Sequence, residues 1–80
     1  MIIISILAGT VFAQGLPLPR YVSLKSNEVY VRVGPSMDNP ISWVFMRKGY
    51  PVEIIQEFGT WRQIRDIEGA IGWVNVIMLS

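Results

Sequence analysis

The sequence predicts an all-β fold, a meander or small barrel, on three observations. Short runs rich in Val, Ile, Trp and Tyr recur from residue 21 onward. Glycines at positions 34, 49, 59, 69 and 72 punctuate those runs as tight turns do. No stretch sustains the i, i+3, i+4 recurrence of an amphipathic helix, apart from one turn's worth at Asn75 to Ile77.

The first clear strand starts at Val29. Val29, Val31 and Val33 alternate with Tyr30 and Arg32, so a period of two sends the valines to one face and Tyr30 and Arg32 to the other. Gly34-Pro35-Ser36 breaks the run, and Asp38-Asn39-Pro40 marks a second turn, which makes the residues between a surface loop. Ile41 to Met46 is apolar nearly throughout, and periodicity leaves open whether Trp43 and Phe45 or Val44 and Met46 face the core. Arg47-Lys48-Gly49 closes that run. A strand with Val52 and Ile54 inward follows, then a turn at Phe58-Gly59-Thr60, a strand from Trp61 to Asp66, a turn over Ile67 to Ala70 and a last arm from Ile71 to Val74. A single tight helical turn is expected near Asn75 to Ile77, ahead of a Leu79-Ser80 strand stub.

Composition bounds the class. The chain has 80 residues, 51% of them hydrophobic and 16% charged, which allows one domain. A chain of this size buries only about 60% of its unfolded surface, so its core must be efficient. Without cysteine it has neither a disulfide framework nor a thiolate metal site. A net charge of +1, mixed in sign along the chain, argues against an electrostatic nucleic-acid binder.

The N-terminal segment differs from the rest. "MIIISILAGTVFA", residues 1–13, carries no charged side chain, whereas every charged side chain lies at Arg20 or beyond. Its apolar run is too short to span a bilayer comfortably and suits a cleavable signal peptide, with Val11-Phe12-Ala13 as the cleavage pattern and Gln14 as the new start. A basic residue ahead of the run is the one signal feature missing, and the alternative is an ordinary buried element of the domain. Residues 14–20, "QGLPLPR", have two prolines that disfavour a helix and are expected to form an extended tether to a domain over residues 21–80. Export places the protein in the periplasm or outside the cell, with membrane contact only through the transient signal.

"VYVRVGPS", "RKGYPVEI", "WRQIRD" and "GAIGWV" follow one another in fixed order, and together they resemble the bacterial SH3-like domain family (SH3b), in particular its exported Gram-negative members. The likeness covers about residues 21–80. Each motif has its own physical reason: Gly34-Pro35 ends the first long strand at a sharp turn, Gly49 serves the next turn, and Gly72 permits close backbone approach beside Trp73. The resemblance implies a five- to six-stranded SH3-like barrel acting as a non-catalytic recognition module at the cell envelope, with peptidoglycan and its peptides as the best-known ligands. Similar secreted proteins tend to continue past the position of Ser80, often into a second related half.

The side-chain inventory independently argues against an enzyme. The absence of His and Cys removes the usual bases, thiol nucleophiles and zinc ligands. Asp66 and Glu68, the one close carboxylate pair of interest, fall in an expected turn, where solvated acids are the ordinary case. Ser36 and Ser42 have no evident activating partner, and Gly34-Pro35-Ser36 lacks the spacing and following helix of a phosphate loop. No catalytic residue, metal ligand or cofactor is therefore assigned.

Aromatic residues are the richest resource for binding. All of the three Trp, three Tyr and three Phe except Phe12 lie beyond the apolar segment. Trp43, Phe45 and Phe58 are expected mainly to pack. Tyr30 points away from the valine face. Trp61, three residues from Ile64, cannot share its face on a regular strand, so either one of the two is outside or a bulge intervenes, and Trp73 faces opposite Val74 if Val74 is core. Tyr30, Trp61 and Trp73 are thus candidates for one shallow groove, with Arg32 and Arg62 at its rim for a ligand carboxylate. The alternative is that these rings only shelter the open side of a barrel. Arg65 and Asp66 are expected to pair with surface neighbours. Two functions follow as expectations: a module binding peptidoglycan or a cell-wall peptide, or an interaction or structural module docking another envelope protein through a strand edge or the same groove.

Overall fold

Six strands order the chain in a computed structural model that describes residues 16–80: β1 (Arg20–Ser23), β2 (Val29–Arg32), β3 (Ile41–Phe45), β4 (Pro51–Phe58), β5 (Trp61–Arg65) and β6 (Ile71–Asn75). The expected signal segment, residues 1–13, and the first two residues of the tether lie outside the described residues. The strands form one antiparallel sheet in the order β1-β4-β5-β6-β2-β3, the all-β class read from the sequence. β1 precedes the first strand expected at Val29, and Arg20, at the end of the expected tether, already pairs with Ile54.

Just past β1 the chain changes partner. Leu24 exchanges bonds with the β3–β4 turn, its N–H donating to Tyr50 O and its carbonyl accepting from Gly49 N, and it also bridges to Leu79. On either side Lys25 N donates to Met78 O at 2.8 Å and Ser80 N to Ser23 O at 2.9 Å. The expected C-terminal stub is thus paired with the start of the domain. Between it and β6 lies the expected tight turn, a 3₁₀ helix over Val76–Met78 whose N-cap, Asn75, accepts a bond from Ile77 N.

The core occupies one face of the sheet. Leu24, Val29, Val31, Val52, Ile54, Ile64, Val74 and Leu79 form it, and removing a Val, Leu or Ile side chain from water contributes about 1.5–3 kcal/mol. Val33 does not join them, contrary to the alternation. β2 ends at Arg32 and the chain turns into the loop, leaving Val33 58% exposed. The question left open for β3 is resolved by its register. Val31 and Val29 stand opposite Trp43 and Phe45, which turn inward against the core, while Val44 and Met46 are exposed. The Phe45 ring meets Trp43 edge-on at 5.6 Å and Tyr50 at 5.1 Å, within the range where aromatic pairs attract.

Two details position the opposite face. Gly72 lies on the core side, where a Cβ would stand 2.3 Å from Val31 Cγ1 and 3.3 Å from Trp43 Cη2, so only glycine fits between those side chains. In β4, the partners pass from Ile54↔Ile64 to Gln56↔Gln63, making Ile55 an extra residue, a β-bulge. That bulge reverses the alternation beyond it. Glu57 comes to the core side opposite Arg62, and Phe58, expected to pack, goes to the other face opposite Trp61 and is 64% exposed.

Candidate functional site

The face away from the core is built by residues alternating with the buried ones. Tyr30 and Arg32 alternate with Val29 and Val31 on β2, Trp73 and Asn75 flank Val74 on β6, and Trp61 and Gln63 precede Ile64 on β5. Arg32 stands opposite Trp73, Trp73 opposite Gln63, and Asn75 opposite Trp61. Four of the five side chains expected to bind, Tyr30, Arg32, Trp61 and Trp73, therefore share a side of the sheet.

β2 and β6 are joined by a single rung, Arg32 with Trp73. Beyond it they share no further pair, and there a recess of about 230 Å³ opens between the strands. Its apolar walls are Tyr30, Trp61, Met37 from the loop after β2, and Ile77 and Met78 from the 3₁₀ turn. Its polar groups are Glu28, Arg32 and Asn75. Tyr30 is 46% exposed, while Trp61 is half-buried. The volume is below the usual range for pockets that enclose a small molecule, about 300–1,000 Å³, and suits side chains of a longer ligand lying across the surface.

Arg32 organises one wall. Its Nη1 donates to Asn39 O at 2.9 Å and Met37 O at 3.3 Å, holding the loop against the strand and Met37 at the recess. The loop is braced internally, since Ser36 Oγ accepts from Asp38 N and Asn39 Nδ2, both at 3.1 Å.

Two expected site residues fall elsewhere. Trp73 is on the predicted side of the sheet but is only 8% exposed and does not line the recess. It lies on an inner strand between the long side chains of Arg32 and Gln63, so facing outward does not bring it to solvent. Arg62 is not at the rim. It projects on the core side near the start of β5, where Nη1 donates to Gly59 O at 2.9 Å and Nε lies 3.3 Å from Glu57 Oε2. The same carboxylate oxygen is 3.1 Å from Arg20 Nη1, so one acid serves two guanidinium groups. Both are charge contacts without the alignment of a hydrogen bond.

Sequence reasoning missed Glu28, Met37, Asn75, Ile77 and Met78. Glu28 was within its reach, because the alternation that places Tyr30 and Arg32 extends one step back. Met37 carries no local signal, since the clamp from Arg32 brings it in.

A larger recess, about 380 Å³, lies at the other end of the sheet beside Tyr21, Glu53, Arg65, Asp66 and Ile67. Its charged groups are engaged internally. Arg65 Nε is 3.1 Å from Glu53 Oε1, and Asp66 Oδ1 accepts from Glu68 N and Ala70 N, each at 2.9 Å, to shape the turn that Gly69 completes at φ +91°. Of the two residues expected to pair with surface neighbours, Arg65 does so with Glu53, whereas Asp66 forms no ion pair among the described residues and shapes the turn instead. Among the described residues no cluster of three or more metal-ligating side chains occurs.

Comparison with curated proteins and with solved structures returned no match. A family model described as a bacterial SH3 domain matches residues 25–80, from just after β1 to the last residue, and so takes in every residue lining the recess beside Tyr30 and Trp61 and all the strands but β1. Domains of this type generally bind protein or other ligands and are typically non-catalytic. With the six-stranded antiparallel sheet consistent with that fold, the match shows that the chain belongs to the bacterial SH3 domain family.

Proposed function

We propose that this protein is a non-catalytic recognition module of the cell envelope that binds peptidoglycan or its peptides through the recess between Tyr30 and Trp61. One observation carries the reading: two aromatic rings from different strands line one recess on the face the core does not use. Rings so placed can stack on a peptide or sugar while the phenol and indole groups bond to it. In this reading residues 1–13 are a signal peptide, the mature chain works in the periplasm or outside the cell, and the Leu24–Leu79 bridge is the seam of a bent barrel.

Pull-down with purified sacculi tests the binding. The wild-type protein is expected in the pellet and the folded Tyr30→Ala variant in the supernatant; equal recovery of both in the supernatant overturns the proposal. For export, N-terminal sequencing of the secreted product is expected to begin at Gln14, and a retained Met1 refutes cleavage.

A second reading has its own observation. β3 ends the sheet, and Ile41 and Val44 are exposed along it, so its open edge suits strand addition by another envelope protein. Cross-linking in cells separates the two: a discrete protein adduct through β3 favours this reading, and recovery with wall fragments favours the first.

A further inference from the structure

We infer that the recess is bipolar and takes a short extended peptide carrying both a free amine and a free carboxylate, the amine at Glu28 and the carboxylate at Arg32. The inference rests on the recess being a ligand site and adds the chemistry of the ligand's two ends.

Glu28, Tyr30 and Arg32 follow one another at every second position and all line the recess. A strand advances about 3.3 Å per residue, so the acid and the base are about 13 Å apart along the backbone with an aromatic ring midway between them. Four residues of extended peptide span about the same length. A ligand laid along β2 thus meets a negative group at one end, apolar walls in the middle and a positive group at the other.

Both charges are available. Among the described residues neither Glu28 nor Arg32 forms an ion pair, whereas Glu53, Glu57, Arg20, Arg62 and Arg65 all do. Both hydrogen bonds of the Arg32 guanidinium leave through Nη1. They fix the group's orientation, and its Nε–Nη2 edge remains for the two oxygens of a carboxylate, the paired geometry that makes such contacts strong. Holding the guanidinium in place beforehand also reduces the ordering cost of binding. In contrast, in the larger recess Arg65 is paired with Glu53, and Asp66 Oδ1 is taken up by the backbone N–H groups of Glu68 and Ala70.

The test is an NMR titration of the protein with four forms of one tetrapeptide, Ala-Leu-Leu-Ala: both ends free, amine acetylated, carboxylate amidated, and both capped. The expected result is shifts of the Tyr30 amide and the Trp61 indole, with affinity falling about threefold on capping either end and about tenfold on capping both, as partly solvated ion pairs do. In Glu28→Lys, acetylating the amine is expected to stop weakening the peptide, while amidating the carboxylate still does. Glu28 is exposed, its backbone N–H donates to Ser26 Oγ and its side chain forms no ion pair among the described residues, so this variant keeps the fold. Equal affinity for all four peptides, with shifts at Tyr30 and Trp61, overturns the charge assignment and leaves the recess a ligand site. No shift with any peptide also overturns it, and the sacculus pull-down then judges the wall reading by itself. Shifts that follow protein concentration instead of peptide concentration identify a second copy of the chain as the occupant and overturn it as well.

Discussion

Replacing Gly72 with alanine adds one methyl group, and the structure says where that group must go. Its Cβ would stand 2.3 Å from Val31 Cγ1 and 3.3 Å from Trp43 Cη2, where carbon atoms in contact normally keep about 3.5–4.0 Å. An overlap of about 1 Å cannot be relieved by turning Val31 into solvent, because that side chain is fully buried. Overpacking of this kind costs about 1–3 kcal/mol, and the severity of the clash puts Gly72→Ala near the top of that range. The stiffer unfolded chain returns about 0.4–1 kcal/mol, which leaves a net loss of about 2 kcal/mol. For a domain of this length that corresponds to a Tm lower by about 8–16 °C. Thermal melting followed by circular dichroism, with urea unfolding to confirm an unchanged m-value, measures it. Val31→Ala destabilises by itself, yet combined with Gly72→Ala it should cost at least about 1 kcal/mol less than the two losses summed, since it removes the methyl that clashes. A Gly72→Ala melt within about 2 °C of wild type, well under the shift for 1 kcal/mol, or strict additivity in the double variant, refutes the close contact.

Three further outcomes are expected. Trp73→Ala should cost about 3–5 kcal/mol and lower urea resistance severely, because the ring is buried although it faces away from the main core. Tyr30→Ala, by contrast, should melt within about 0.5 kcal/mol of wild type while losing sacculus binding, and a large loss of stability there refutes its exposed position. Asp66→Ala should cost about 1 kcal/mol by removing the acceptor for Glu68 N and Ala70 N, with amide exchange rising at those two residues and not at Tyr30.

The legible parts of the fold were those set by neighbours in sequence. Alternation in Val29-Tyr30-Val31-Arg32 assigned the two faces of β2, and turn chemistry located the Asp66–Ala70 connection and the single helical turn after Asn75. What escaped depends on partners distant in sequence. The bulge at Ile55 exists because β4 pairs with β5 in a particular register, and it sends Phe58 outward when local hydrophobicity favours the core. Trp73 shows the same limit in another form: alternation gives the side of the sheet a ring takes, whereas its depth depends on Arg32 and Gln63 of the adjoining strands. Arg62 is drawn from the expected rim by its side of β5 and by Glu57, its partner across the ladder.

In the proposed reading, the placement of the recess separates binding from stability. It opens where β2 and β6 part beyond their one rung, on the side opposite Val29, Val31 and Val74, so the same backbone carries core and recess on different side chains. Substitutions at Tyr30 or Glu28, both exposed, are therefore expected to alter the proposed binding without removing buried apolar contacts. Arg32 is the exception. Its bonds to Met37 O and Asn39 O make the loop part of the recess, so loss of its side chain removes one charge and also releases one apolar wall. An Arg32→Lys substitution distinguishes those roles: it preserves the positive charge but has no planar fork to hold both carbonyls while offering a second edge to a carboxylate. If Arg32 acts through geometry as well as charge, Arg32→Lys weakens the uncapped peptide and increases amide exchange at Asn39; unchanged affinity and exchange would reduce the residue to a point charge.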